Sequence, residues 1–205
     1  MIQAKIENHR TLEISQEHFL TIAIESFRVN RKAAGLAGST VKFYTYRLQC
    51  FTEYCESQAV QYIQEINADL LRQCLLALAE THNPGGVHGN FRALRVFLRW
   101  IEAEEIMPPE WKNPIRRVKP PRVGLPPIDP VPLEDVQKLL DCCTQGDYAE
   151  RDRAIFLFML DTGVRAGELC NLNWDDLDLA SGVALIRQSK GRRPRIVCFG
   201  RKTRR

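Results

Sequence analysis

The stretch DTGVRAGELCNLNWDDLDL, residues 161–179, decides how this chain of 205 residues is read. Immediately before it runs AIFLFML at 154–160, apolar on every side, which predicts a helix that is central and fully buried. Asp147, with Glu150 three residues on, is the expected start of that helix, in a capping-box arrangement. Gly163 is placed to end it, because glycine takes the left-handed backbone of a helix stop without a Cβ penalty. A second, short helix then opens near residues 164–166, which puts Arg165 in its first turn.

A cation in a first turn faces the positive end of the helix dipole and is disfavoured by roughly 0.3 to 1 kcal/mol. Two readings of Arg165 follow. A bound anion satisfies both the free amides and the guanidinium, with Glu168 orienting Arg165 from the same helix face. Alternatively, Arg165 and Glu168 form an exposed ion pair worth under about 1 kcal/mol.

Past Asp178 the pattern changes to apolar β-type runs, VALIR at 183–187 and RIVCF at 195–199, around a basic turn at 189–193. This predicts a β-hairpin with a basic tip. From Arg187 to Arg205 every charged residue is a base, and such a local excess suits a polyanion or plain solvent. DDLDLASG at 175–182 is the nearest suggestion of a calcium loop, and the EF-hand spacing fails there.

Working back, LEDVQKLLDCC at 133–143 reads as a helix, and before it nine of the eleven prolines fall between Pro108 and Pro132. Fixed φ angles and missing N–H groups exclude a helix or a central strand there, so 106–132 is expected to be an extended, stiff linker. Its bases, among them Arg116, Arg117 and Lys119, either lie along a phosphate backbone or belong to a solvated connector.

Four helical patterns precede the linker. The first, roughly 16–34, has Phe19, Ile22 and Phe27 on one side. The second follows Ser39 as N-cap and aligns Val41, Tyr44, Leu48, Phe51 and Cys55. The third, about 67–79, carries Leu71, Cys74, Leu75 and Leu78; the fourth, about 87–103, carries Phe91, Leu94, Leu98 and Ile101. Such helices form a compact all-helical domain. Away from its apolar face the fourth helix bears Arg92, Arg95 and Arg99, placed either to meet phosphates and base edges or to pair with Glu102, Glu104 and Glu105 on a solvated face.

With 44% apolar and 26% charged residues and a net charge of +4, the composition is that of an ordinary soluble protein. The seven cysteines include no Cys-x-x-Cys pair, and Cys50, Cys55, Cys74 and Cys170 stand in apolar helical patterns, so reduced, buried thiols in the cytoplasm are expected. No apolar run approaches the roughly 20 residues a membrane span needs.

The motif D-T-G-x-R-x-x-E-L, then L-x-W-D-D-L-D-L, then Lys-Gly in the basic turn of SKGRRPRIV at 189–197, resembles the tyrosine recombinases, the phage-integrase family of DNA-breaking and rejoining enzymes. STVKFYTYRLQCFTEYC at 39–55, NFRALRVFLRW at 90–100 and the basic proline-rich stretch are similar to that family's core-binding domain. The resemblance implies a mainly α fold: a tail at 1–14, a four-helix SAM-like core-binding domain at 15–105, the linker, and at 133–205 a partial α+β catalytic domain with a β-hairpin.

In that family a tyrosine hydroxyl attacks a DNA phosphodiester to give a 3′-phosphotyrosine, and no metal or other cofactor takes part. The resemblance makes Arg165 the first of two phosphate-clamping arginines, Lys190 the general acid for the departing 5′-oxygen, and Glu168 a supporting residue. Arg92, Arg95, Arg99, Arg116, Arg117, Lys119, Arg192 and Arg193 are candidate DNA contacts, and the implied partners are double-stranded DNA and further recombinase subunits, since the family acts as a tetramer on paired sites. The family's His/Lys-x-x-Arg motif, second His or Trp, and late tyrosine have no counterpart: Tyr44, Tyr46, Tyr54, Tyr62 and Tyr148 all precede Arg165. The chain is therefore expected to be truncated and to bind DNA with little or no cleavage. A DNA-binding accessory or decoy factor and an inert remnant of a mobile element are the alternatives.

Overall fold

The computed structural model describes residues 19–124, 128–187 and 193–204, which fall into two units, Met1–Pro126 and Pro127–Arg205. The first unit is helical: α1 Leu20–Ala33, α2 Gly38–Ser57, α3 Ala68–Thr81 and α4 Pro84–Ala103. Helix α4 packs against the other three. It buries Val87, Phe91, Leu94, Phe97, Leu98 and Ile101, a broader stripe than the four residues expected. Around Phe27, the rings of Tyr44, Phe97 and Trp100 lie 5.4 to 5.5 Å away, mostly edge-on, which suits the aromatic quadrupole.

The helix starts show what local chemistry decides. Asn67 accepts from the amides of Asp69 and Leu70 at 3.0 and 2.9 Å and caps α3. Asn83 accepts from the Gly86 amide at 2.7 Å and caps α4, where Pro84 loses no hydrogen bond because first-turn amides have no helical partner. Ser39, by contrast, is not a cap: α2 begins one residue earlier, with no side chain capping it. In α1 the buried face is Leu20, Ala23 and Phe27, while Ile22 points to solvent.

The linker expected at 106–132 is corrected in its first part. Met107, Asn113, Pro114, Ile115 and Val118 are buried, and Pro114–Arg117 forms a 3-10 turn. The Asn113 amide donates to the Leu98 carbonyl at 2.9 Å and accepts from the Ile115 amide at 3.2 Å. Proline excludes regular ladders, yet apolar side chains between prolines still gain by burial, and here they complete the first core.

The second unit holds α5 Leu133–Cys142, α6 Ala149–Thr162, α7 Ala166–Cys170 and a three-stranded antiparallel sheet in the order β1 Leu177–Asp178, β2 Val183–Ile186, β3 Arg195–Cys198. The β2 and β3 pairing matches the expected hairpin; the short β1 was not expected. Its core is small: Phe158, Val164, Ala184, Ile186 and Phe199. Helix α6 is not fully buried as its sequence suggests, for Phe158 alone is buried while Leu160 is 52% exposed. One sheet face covers one side of the helix, and the remaining apolar side chains are left partly open. Asp147 does not cap α6, whose first turn has no side-chain cap. Cys55 and Cys74 are buried, and burial pushes both thiols up to about 12; Cys170, expected inside, is exposed. Among the described residues no helix is long and apolar enough to cross a membrane.

Candidate functional site

Gly163 ends α6 with φ 61°, its amide on the Met159 carbonyl at 2.9 Å. The turn it makes sends Val164 into the core and leaves Arg165 extended, at φ −78° and ψ 151°. Arg165 is thus the N-cap of α7 and not a first-turn residue, a correction to the expected position. Its amide donates to Oε2 of Glu168 at 2.9 Å and its Nη1 to Oε1 at 2.9 Å.

A second arginine reaches the same carboxylate. The ladder pairs Arg195 with Ile186, which is buried, so Arg195 lies on the inner sheet face with Val197 two residues on. Its Nη1 donates to Oε1 of Glu168 at 2.8 Å and its Nη2 to Oε2 at 2.7 Å, a two-pronged grip. Glu168 is 4% exposed at its side chain. The Arg195 guanidinium and the Arg165 amide hold its carboxyl down to about 2, against burial, which acts the other way.

This arrangement revises both earlier readings of Arg165. The amide expected to be open to an anion is taken by Glu168, so only the guanidinium is available to one. Nor is the pair an exposed one, since the carboxylate is buried while the Arg165 side chain is 61% exposed. Among the described residues, Nε and Nη2 of Arg165 make no hydrogen bond.

Three further acids brace the same unit. Asp176, buried, accepts from the Asn173 amide at 3.1 Å and pairs closely with Arg187 at the end of β2. Asp161 accepts from the Gly200 amide at 2.7 Å and from the Thr203 hydroxyl at 2.6 Å, tying the end of α6 to the segment after β3. Asp178 accepts from the amides of Ala180 and Ser181 and so closes its own turn.

Lys190 and Arg192 lie outside the described residues; Arg193 is exposed just before β3. Arg92, Arg95 and Arg99 lie on the exposed side of α4 and, among the described residues, form no salt bridge with its acids, although the charge of Arg99 helps to lower the Glu102 carboxyl. Glu102 is engaged by Arg116 and Asn113, and Glu104 by Trp100 and Asn30. Two of them stand over rings: Arg92 lies 5.9 Å from Phe43 and Arg95 5.7 Å from Phe91. Arg116 is committed to Glu102 at 3.1 Å, while Arg117 and Lys119 are exposed. Sequence reasoning missed Arg195. Its signal was the period-two pattern, which places it on the same strand face as Val197 and so calls for a buried anion nearby.

Residues 131–205 match the model described as the phage integrase family. The chain is similar to the tyrosine recombinase XerC of Yersinia pestis, 30% identical over 171 residues, which cover 81% of this chain and 54% of that protein. With XerC of Oceanobacillus iheyensis it shares 28% over 186 residues, covering 90% of this chain and 59% of that protein. It therefore spans a little over half the length of these curated relatives. Among solved structures, a lambda integrase tetramer bound to a Holliday junction superposes with a TM-score of 0.75 at 15% identity, covering 96% of this chain and 58% of that one. The Tn1549 transposon integrase in complex with a circular-intermediate DNA gives 0.67 at 14% identity, covering 91% and 63%. At such identities the likeness shows a shared fold, mainly helical with a small antiparallel sheet.

Proposed function

From the premise that the chain belongs to the tyrosine recombinase family, the phage-integrase family, we propose that it binds duplex DNA and that Arg165 grips the phosphate at which a strand is broken. The observation that carries this reading is the Arg165 guanidinium, held on one side by a buried carboxylate and open on the other. As phosphorus becomes pentacoordinate, charge concentrates on its non-bridging oxygens, and a planar, permanently charged fork matches them. A cation already fixed in place needs no reorganisation at that moment.

In the whole protein, the bond from phosphorus to the 5′-oxygen breaks as one to a tyrosine oxygen forms, and Lys190 is the proposed source of the proton that the 5′-oxygen takes. Glu168 is the supporting residue. Arg92, Arg95, Arg99, Arg117, Lys119, Arg192 and Arg193 are proposed DNA contacts; Arg116 is the weakest candidate because Glu102 already neutralises it. The reaction calls for no metal or nucleotide, because the phosphotyrosine bond conserves the energy of the one it replaces. Further subunits of the same family are the proposed partners, and the cytoplasm the proposed place of action. None of the five tyrosines in these 205 residues follows Arg165, so by themselves they are expected to hold DNA without forming a covalent adduct on a nicked suicide substrate.

Titrating a labelled duplex at increasing salt tests the binding. The logarithm of affinity should fall linearly with the logarithm of salt, because phosphate contacts release counterions. Arg165→Ala should weaken binding several-fold and reduce the slope by about one. A flat salt response would overturn DNA binding, and unchanged affinity in Arg165→Ala would overturn the role given to Arg165.

A further inference from the structure

We propose that Arg195 is a positioning residue: by holding both oxygens of Glu168 from β3, it fixes the plane of that carboxylate and so aims the Arg165 guanidinium. Only the consequence for DNA rests on the phosphate-clamp reading of Arg165.

Each carboxylate oxygen serves both arginines. Oε1 accepts from Nη1 of Arg195 at 2.8 Å and Nη1 of Arg165 at 2.9 Å; Oε2 accepts from Nη2 of Arg195 at 2.7 Å and the Arg165 amide at 2.9 Å. A glutamate side chain has several rotatable bonds, and without Arg195 its carboxylate would keep one backbone donor, the Arg165 amide, and one from the long, exposed Arg165 side chain, which can swing with it. Two parallel bonds from one planar fork remove that freedom.

The two arginines are not equivalent. Arg195 is 35% exposed and spends both terminal nitrogens on Glu168, whereas Arg165 is 61% exposed and gives it one. The buried negative charge is thus met by two positive ones, and the surplus sits on the more exposed guanidinium, where an anion can reach it. Lysine at 195 would keep the charge but offer a point ammonium in place of the fork. Arg195 is also the first residue of β3, on the carboxyl-terminal side of the stretch that contains Lys190. Its grip therefore ties that strand to the segment bearing Arg165.

Arg195→Lys in the whole chain, with folding checked by thermal melting, tests the proposal in two arms. Without DNA, the Arg165 guanidinium signals in a proton–nitrogen NMR spectrum should be resolved and slowly exchanging in the wild type, and averaged in Arg195→Lys as for a free arginine. Unchanged Arg165 signals in Arg195→Lys would overturn the proposal. If that variant does not fold, the wild type decides: Arg165 terminal nitrogens that already rotate freely would overturn it, and restricted ones support it. With duplex DNA, Arg195→Lys should lose several-fold in affinity, and should lose nothing further in an Arg165→Ala background. Losses that multiply would mean that Arg195 touches DNA directly, which also overturns the proposal. An NMR change without any dependence of binding on Arg165 would leave the positioning role standing and sink the phosphate-clamp reading instead.

Discussion

Glu168 is the residue on which the second unit turns. Its carboxyl titrates at about 2 in the folded chain against an ordinary 4.5, because Arg195 and the Arg165 amide favour the charged form. A depressed folded-state value means that the stabilisation is present above pH 4.5, falls as the pH drops below it, and is gone below about 2. Melting temperatures followed across that window should therefore decline more steeply in the wild type than in Glu168→Gln. Parallel curves would show that Glu168 carries no such linkage. Arg165→Ala should change the melting temperature little, since the side chain is largely exposed and Arg195 continues to partner the carboxylate. Burial is what separates these two neighbours: the carboxylate cannot lose its partners without standing alone in a dry site, whereas the guanidinium can return to water.

At the scale of elements, caps and stops carry the local decisions. Asn67→Ala removes the acceptor of two first-turn amides in α3 and should cost about 1 kcal/mol, read as a lower melting temperature. Asp147→Ala should stay within about 0.5 kcal/mol of wild type, because α6 starts without a side-chain cap. Gly163→Ala places a Cβ where no atom lies within 4 Å, so its cost, about 1 to 2 kcal/mol, is that of the left-handed backbone alone. Comparison of the three by chemical denaturation separates backbone strain from capping. Arg195 shows how an element places chemistry. An arginine in a basic stretch is one among many, but register opposite Ile186 turns it inward onto Glu168.

Across the whole molecule the two units differ in how much they bury. The first closes around a broad core drawn from all four helices and the segment after them, and the second has Phe158, Val164, Ala184, Ile186 and Phe199. Native-state hydrogen exchange should find the slowest amides in α2 and α4 and faster ones in α5 and α6, since local opening costs less where fewer apolar contacts are broken. Equal protection in both units would contradict that ordering. Leu133, Leu139 and Leu160 stand exposed on α5 and α6, so apolar surface in this unit remains open to solvent. The helices of the first unit, the stop at Gly163 and the β2–β3 hairpin were legible in the sequence by itself, because periodicity and backbone preference act over a few residues. Also legible was Arg165 beside Glu168, three residues apart. The sequence did not reveal that 107–118 would join the first core, that α6 would stay half open, or that Arg195, 27 residues from Glu168, would seize both its oxygens. Those outcomes depend on which surfaces meet and in what register, and a distant partner for a buried charge is chosen only when the chain has folded around it.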